Sequence, residues 1–490
     1  MFFHIASVLF LALALKVAWP LPSLTQHAAC VLLSVQLPGA VHYPGSTKFS
    51  DSLASYFTKQ EQETQPTCIV EPNSPSQVSR FVHTMSQFVM VGGRFAVRSG
   101  GHATFSAAAN IQNGLVLSLS LLDQVQVQDD RSVVSLGPGA RWGDVWQVLD
   151  PLGITVAGGR DAGVGVGGYL LGGGLSYLGP TVGWGCDTVL EFEVVLANGE
   201  VVTASENSHP DLFLALKGGT NNFGIVTKFT MQTYPLKSLW GGFIVHRPDA
   251  APKQVEALSD FMGAEPYDPH AAMFQSYAFM SGNKFISNSV TYTKPVTNPK
   301  VFKDLVDPTT VIHDALRMGN MGSFANETSQ MQSYNTQQTW FTTTFAHTPS
   351  IYSTVHSIWE DSIPGIANIP GINWCLTVQP APALGHKNSL GLDSKEKRLA
   401  IIIVTVNYNN SADISTVRAA VEQLIASVEA ATKAAGVYRP YKYLNYADGS
   451  QDVISGYGPA SKANLQATSK KYDPHGLFQR GLPGGFKVFT

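Results

Sequence analysis

Charge is scarce in this sequence: only 14% of its 490 residues are Asp, Glu, Lys or Arg, and the formal net charge is −3. No long run of lysine or arginine occurs, so the electrostatic footprint of a nucleic-acid binder is missing. Apolar runs stop short of the roughly 20 residues that a membrane span requires. Cysteine is rare as well, with four in the chain: Cys30, Cys68, Cys186 and Cys375. In a secreted chain, Cys30 and Cys68 are the better candidates for a bridge, because they flank one loop-rich N-terminal stretch. Cys186 and Cys375 read as buried small hydrophobes. Hydrophobic residues, in contrast, make up 44% of the chain, which suits a large packed core and excludes a disordered or fibrous protein. The length corresponds to roughly three domain-sized units.

The run Ile5–Leu15 has signal-peptide length, although no Lys or Arg precedes it and Lys16 follows it. Residues 1–20 are therefore expected to be a signal peptide cleaved between Ala18 and Pro22, with a buried first helix as the alternative. A secreted or secretory-pathway location follows from this expectation. The sequons at Asn326 and Asn409 are compatible with it as glycosylation sites.

Glycine clusters and short β-branched strands dominate from Thr67 to Pro235. Val78, Phe81, Val82 and Met85 recur at helical spacing, with Ser76 as the expected N-cap. Asn198-Gly199 between two apolar runs predicts a hairpin with a type I′ turn. A strand from Gly224 is expected to stop at Pro235. Beyond Leu236 glycine thins out and longer strands alternate with helices. "KFISNSVTYT" and "RLAIIIVTVNYN" read as strands, and Val417, Val421, Leu424 and Val428 as one face of a helix between Asp413 and Gly436. From about Tyr438 the chain turns loop-rich and aromatic again.

Two stretches carry chemistry. "AVRSGGHATF" puts His102 behind Gly100 and Gly101, where bare backbone can approach a ligand closely. Arg98, Ser99 and the two glycine amides could hold a phosphate there. No second histidine stands at ligand spacing and no acidic cluster adjoins, so no metal is expected. "GVGVGGYLLGGGLSYLG" contains G-x-G-x-x-G, but Gly172, Gly173 and Gly174 fall where the helix of a dinucleotide fingerprint would run, which argues against a Rossmann unit. Consecutive bare amides can still line a large anionic cofactor.

These stretches, with "GGTNNFGIVTKF" and the ending "YLNYAD…YDPHGLFQ", resemble the berberine-bridge-enzyme-like flavoproteins of the vanillyl-alcohol-oxidase type, fungal branch. Four motifs in order cover nearly the whole chain from Cys30. The resemblance implies an α+β fold: a two-part PCMH-type FAD-binding domain, an inserted α+β substrate domain and a C-terminal berberine-bridge-like segment. The corresponding boundaries are 21–63 for an N-terminal segment, 64–236, 237–430 and 431–490. It implies FAD bound covalently through His102. The loop Arg98, Ser99, Gly100 and Gly101 would lie at the pyrophosphate, and Val164, Gly165, Gly168, Gly173 and Gly174 along the cofactor. Gly224 and Val226 would stand at its adenine end. It also implies the Cys30–Cys68 disulfide. Some members attach FAD a second time through a cysteine, but Asp161 stands at that position, so no second covalent link is expected.

The segment "YKYLNYAD" reads as an extended strand with Tyr441, Tyr443 and Asn445 on one face. By resemblance Tyr443 is the candidate base and Asn445 its neighbour at the flavin, while "YDPHGLFQ" is a structural closing turn. The expected activity is oxidation of a small organic molecule, a fungal secondary metabolite, with dioxygen as acceptor. A carbohydrate oxidase and an oxidase-derived cyclase are the alternatives.

Overall fold

The computed structural model describes residues 22–393, 395–396 and 398–489. The expected signal peptide, residues 1–20, lies outside the described residues. The N-terminal stretch expected to be loop-rich carries helices on both sides of the turns at 37–46. Helices cover Pro22–Gln36, Thr47–Ala54 and Lys59–Glu63. The first buries Ala29, Cys30 and Leu33 in a core shared with Val78, Phe81 and Phe95. That three-to-four spacing was hidden behind the polar start Pro-Ser-Leu-Thr-Gln. Cys30 and Cys68 are bonded to each other.

Strands β1 (Val41–His42), β2 (Cys68–Val70), β3 (Phe95–Arg98) and β4 (Leu115–Ser118) form a sheet of order β1-β2-β4-β3. Strands β2 and β3 run parallel to β4 and are short apolar runs, as strands covered on both faces should be. The helix Pro75–Val89 covers them with Val78, Phe81, Val82 and Met85 buried. It starts at Pro75 with Ser74 in the N-cap position, two residues before the expected cap Ser76.

A second sheet contains β5 (Val125–Val127) and β6 (Val133–Leu136), and β7 (Ile154–Thr155) lies apart from it. Its remaining strands are β8 (Val189–Val195), β9 (Val201–Ser205) and β10 (Ile225–Gln232), in the order β5-β6-β10-β8-β9. The predicted hairpin joins β8 to β9, but its turn differs from type I′. Only Gly199 of the Asn-Gly pair has positive φ (+84°), and Gly199 N–H donates to Leu196 O across a five-residue connection. Pro235 does not simply end a strand, because Tyr234–Pro235 forms β11, a two-residue ribbon with β7.

The third sheet has nine antiparallel strands: β12 (Leu239–His246), β13 (Ala271–Met280), β14 (Asn283–Tyr292), β15 (Val311–Asp314), β16 (Arg317–Gly319), β17 (Gln337–Ala346), β18 (Asn373–Pro380), β19 (Leu399–Tyr408) and β20 (Tyr438–Arg439). Their order is β15-β12-β14-β13-β18-β19-β17-β20, with β16 also on β12. One face packs against the helices Ala251–Gly263, Ile351–Ser362 and Ile414–Ala434, whose Val417, Val421, Leu424 and Val428 are all buried. The other face is left to the cavity described below. The chain then returns: Tyr441, Tyr443, Tyr457, Leu465 and Phe486 join the core built on Trp142 and Trp146 of the first half. This is the expected α+β architecture, with a first half completed by the last segment. The closing turn is held by Asp473, which accepts from the N–H groups of Leu477 and Phe478.

Candidate active site

Where β3 ends, the chain passes through Ser99, Gly100 and Gly101 and meets the second glycine cluster backbone to backbone. A Cβ on Gly100 would lie 2.5 Å from the Gly165 nitrogen, and one on Gly165 would lie 2.3 Å from the Gly100 nitrogen. Both positions are therefore glycine because two loops cross there. Ser99 Oγ donates to Pro138 O at 2.6 Å and accepts from Gly167 N–H at 3.1 Å, which ties the crossing down. Arg141 clamps both loops, donating to Gly163 O and, at 2.9 Å, to Gly100 O. Sequence reasoning did not single out Arg141, whose partners lie 22 and 41 residues away.

The crossing borders a cavity of about 560 Å³, within the usual range for a ligand site. Ser99, Gly100, Gly101, His102, Val164, Gly165 and Gly168 line it, as do Gly224 and Val226 further along. Tyr443 and Asn445 line it from the C-terminal segment. Three expected cofactor residues are placed otherwise. Arg98 turns its guanidinium away, onto Ser52 O, Ser52 Oγ and Ser55 Oγ at 2.7–2.9 Å, and stacks over Tyr56. Its β-strand parity points it into the N-terminal helices and leaves Ser99 on the cavity side. Gly173 and Gly174, both with positive φ, form the turn behind Tyr443 and are absent from the cavity wall. The glycine cluster also starts a helix after all, Val166–Leu171, but it stops at Gly172 after six residues.

His102 stands at the wall in an aromatic box. Its ring stacks on Phe57 with centroids 3.8 Å apart and meets the edges of Tyr334 and Trp340. Burial and then the positive charge of Arg141 pull its pKa down to about 3, so the imidazole is neutral. Nε2 is buried without a hydrogen-bond partner among the described residues, and the nearest carboxylate oxygen, Asp161 Oδ2, is 3.9 Å away. Asp161 Oδ1 is already engaged by Gly163 N–H at 2.8 Å, and burial pushes its carboxyl above the usual range.

The aromatic segment is a turn and not the expected strand: Leu444–Tyr446 is one turn of 3₁₀ helix. This folds Asn445 back, so that its Nδ2 donates to Tyr443 Oη at 3.0 Å and to Tyr169 O at 3.1 Å. Tyr443 Oη also accepts from Gly174 N–H at 3.1 Å, yet burial pushes its phenol above the usual tyrosine range. The cation is found on a different tyrosine. Arg160 donates to Tyr446 Oη at 2.9 Å and Gln379 Nε2 donates to the same oxygen at 3.1 Å. All three line the cavity. Arg160 and Tyr446 are 286 residues apart, and the one local hint was an arginine inside the glycine-rich "GGRDAG".

Cys186 is fully buried, but Cys375 is only partly buried and lines the cavity, so it is more than a core hydrophobe. Asn326 is exposed on the helix Met321–Gln330, and Asn409 is exposed just beyond β19. Among the described residues, no group of His, Cys, Asp or Glu could hold a metal, and no helix is long and apolar enough to cross a membrane.

Crossing glycine loops wall the cavity on one side and a broad antiparallel sheet walls it on the other. A profile described as FAD binding domain matches residues 66–205. The FAD-dependent monooxygenase CTB5 of Cercospora beticola is 32% identical, over 96% of this chain and 93% of its own. The FAD-dependent monooxygenase sdcF of Emericella nidulans is 34% identical, over 94% of this chain and 98% of its own. Among solved structures, the BBE-like 1 protein of Physcomitrella patens superposes with a TM-score of 0.75 at 18% identity, over 92% of this chain and 97% of its own. The chain belongs to the berberine-bridge-enzyme-like family of FAD-linked oxidoreductases.

Proposed function

We propose that FAD occupies this cavity through a single covalent bond to His102 and that the protein oxidises a small, neutral organic molecule with dioxygen as acceptor. The observation that carries the reading is His102, a buried imidazole whose Nε2 has no hydrogen-bond partner among the described residues, at the wall of a cavity where the loops at Gly100 and Gly165 cross too closely for side chains. Bound flavin would supply the two-electron acceptor, and the protein supplies orientation and proton handling. Asp161 in place of a cysteine leaves His102 as the one tether. The amides around Gly100 and Gly165 suit the phosphate-bearing part of the cofactor.

The base moves from Tyr443, the sequence candidate, to Tyr446. Tyr443 receives N–H groups from Gly174 and Asn445 and is deeply buried, which fits it to hold the wall in place. Tyr446 Oη stands at the cavity wall, held by Arg160 and Gln379, where it can meet a substrate hydroxyl. It would take the proton of a substrate hydroxyl. A fungal secondary metabolite as substrate is supported by the relatives, whose names make them FAD-dependent monooxygenases of fungi. A carbohydrate oxidase is disfavoured by a wall that includes Phe243, Phe274, Phe285 and Ile403. Export through the secretory pathway remains part of the proposal on the apolar leader Ile5–Leu15.

Acid precipitation tests the central statement. The wild-type pellet is expected to be yellow and fluorescent, and His102→Ala to release all its flavin to the supernatant. A colourless wild-type pellet, or a His102→Ala pellet that keeps its colour, overturns it. Tyr446→Phe is expected to lower kcat by about 10²–10⁴-fold, and Tyr443→Phe by much less.

A further inference from the structure

The cavity wall opposite the glycine loops is built largely from β13, β18 and β19, and its chemistry is ordered. Strand β18 reads Asn373-Trp-Cys-Leu-Thr-Val-Gln379. Trp374, Leu376 and Val378 turn into the helix-covered core, while Asn373, Cys375, Thr377 and Gln379 line the cavity. Gln379 touches Tyr446, so the column of polar groups recedes from the proposed reacting end. With two residues per step, Thr377, Cys375 and Asn373 stand about 7, 13 and 20 Å from Gln379.

The neighbouring strands complete each step. Ser276 is opposite Thr377, with their hydroxyl oxygens 2.7 Å apart, and Thr377 Oγ1 lies 3.7 Å from Cys375 Sγ, so the three form one neutral hydrogen-bonding cluster. Thr405 is opposite Cys375, whose thiol burial keeps protonated. Asn407 is opposite Asn373, and its Oδ1 is buried without a partner among the described residues. Between these groups stand Phe274, Ala278, Met280 and Ile403. No Lys, Arg, His, Asp or Glu lines this sheet-borne wall. The charged side chains of the cavity, Arg160 and Asp161, sit at the Gln379 end, where Arg160 donates to Tyr446 and lies 5.0 Å from the centre of the Phe274 ring and Asp161 accepts from Gly163. An ion placed along β18 would lose its hydration and meet no counter-charge.

We propose that β18 and its neighbours select an elongated, uncharged, largely aromatic substrate that carries a neutral oxygen substituent about 7–13 Å along β18 from the end held at Gln379 and Tyr446. That substituent is read by the Ser276–Thr377 and Cys375–Thr405 pairs. The proposal rests on the functional reading above, and its test is chosen to stand apart from it. Trp340 lines the same cavity, so quenching of intrinsic fluorescence reports occupancy whether or not any flavin turns over.

The probes are three naphthalenes with a hydroxymethyl group at one end. The far end carries a phenolic hydroxyl, a hydrogen or a carboxylate. The phenol is expected to bind about three- to tenfold more tightly than the unsubstituted compound, the worth of one neutral hydrogen bond. The carboxylate should bind at least about tenfold more weakly than the phenol. In a Thr377→Val/Thr405→Val double variant the preference for the phenol should vanish while affinity for the unsubstituted compound is kept, which marks the cavity as intact. Equal or tighter binding of the carboxylate overturns the proposal. So does a phenol preference that survives in the double variant. A protein without flavin that still shows the expected binding order would sink the functional reading and leave this one standing.

Discussion

At the scale of single residues, the crossing of Gly100 and Gly165 is the most demanding contact in the site. Alanine at position 100 would put a methyl carbon 2.5 Å from a backbone nitrogen, with no flexible side chain to move aside. Gly100→Ala is expected to lose roughly 1–3 kcal/mol of stability and most of its bound flavin, read as Tm and as the ratio of visible to ultraviolet absorbance. The requirement for glycine at both ends was legible from the two clusters in the sequence. The side chains that brace them were not, because Arg141, Arg160 and Tyr446 find their partners across long stretches of chain and carry no local pattern. Glu61 is a second residue of this kind. Fully buried beside the loop at Ala109, it keeps Oε2 without a partner among the described residues, and burial raises its pKa from 4.5 to about 8. A carboxyl raised on folding contributes stability below about pH 4.5 that is lost as pH climbs through about 8. Glu61→Gln should therefore leave stability nearly unchanged at pH 5 and raise it at pH 8.5 by an amount of order a few kcal/mol, read as a higher Tm at the higher pH only. A variant equally stabilised at both pH values would contradict the buried-carboxyl account.

Elements show where local sequence patterns hold and where tertiary contacts win. The helix Ile414–Ala434 and strands β14 and β19 follow their periodicity, because each presents one face to the same core. "YKYLNYAD" alternates like a strand yet forms a turn, in which Asn445 donates to Tyr443 Oη and Tyr169 O. The N-terminal helix Pro22–Gln36 carries no charged residue, and it is fastened to β2 through Cys30 and Cys68. The bridge closes 38 residues, which in the chain-entropy account is worth about 4 kcal/mol. Cys30→Ser/Cys68→Ser is expected to lower Tm by several degrees. It should also open this segment to proteolysis before the rest of the chain, so an unchanged digestion pattern would show that packing alone holds the helix.

Across the whole molecule, the cavity is walled by both halves: the glycine loops and the returning C-terminal segment on one side, the nine-stranded sheet on the other. A ligand there binds the folded arrangement of the two and stabilises it by mass action. His102→Ala, freed of flavin, is expected to unfold at a Tm that climbs with added FAD, whereas under the proposed tether the Tm of wild type stays fixed. A His102→Ala Tm indifferent to FAD would place the cofactor elsewhere. The pleat of β18 has a consequence for how such a protein can diversify. Its odd-numbered residues face the cavity and its even-numbered ones the helices, so one strand holds two interleaved texts that can be edited separately. Substitutions at Cys375 or Thr377 can change what is accepted while Trp374, Leu376 and Val378 go on holding the sheet to its helices. New substrates are then within reach of single mutations that leave the scaffold's stability almost untouched.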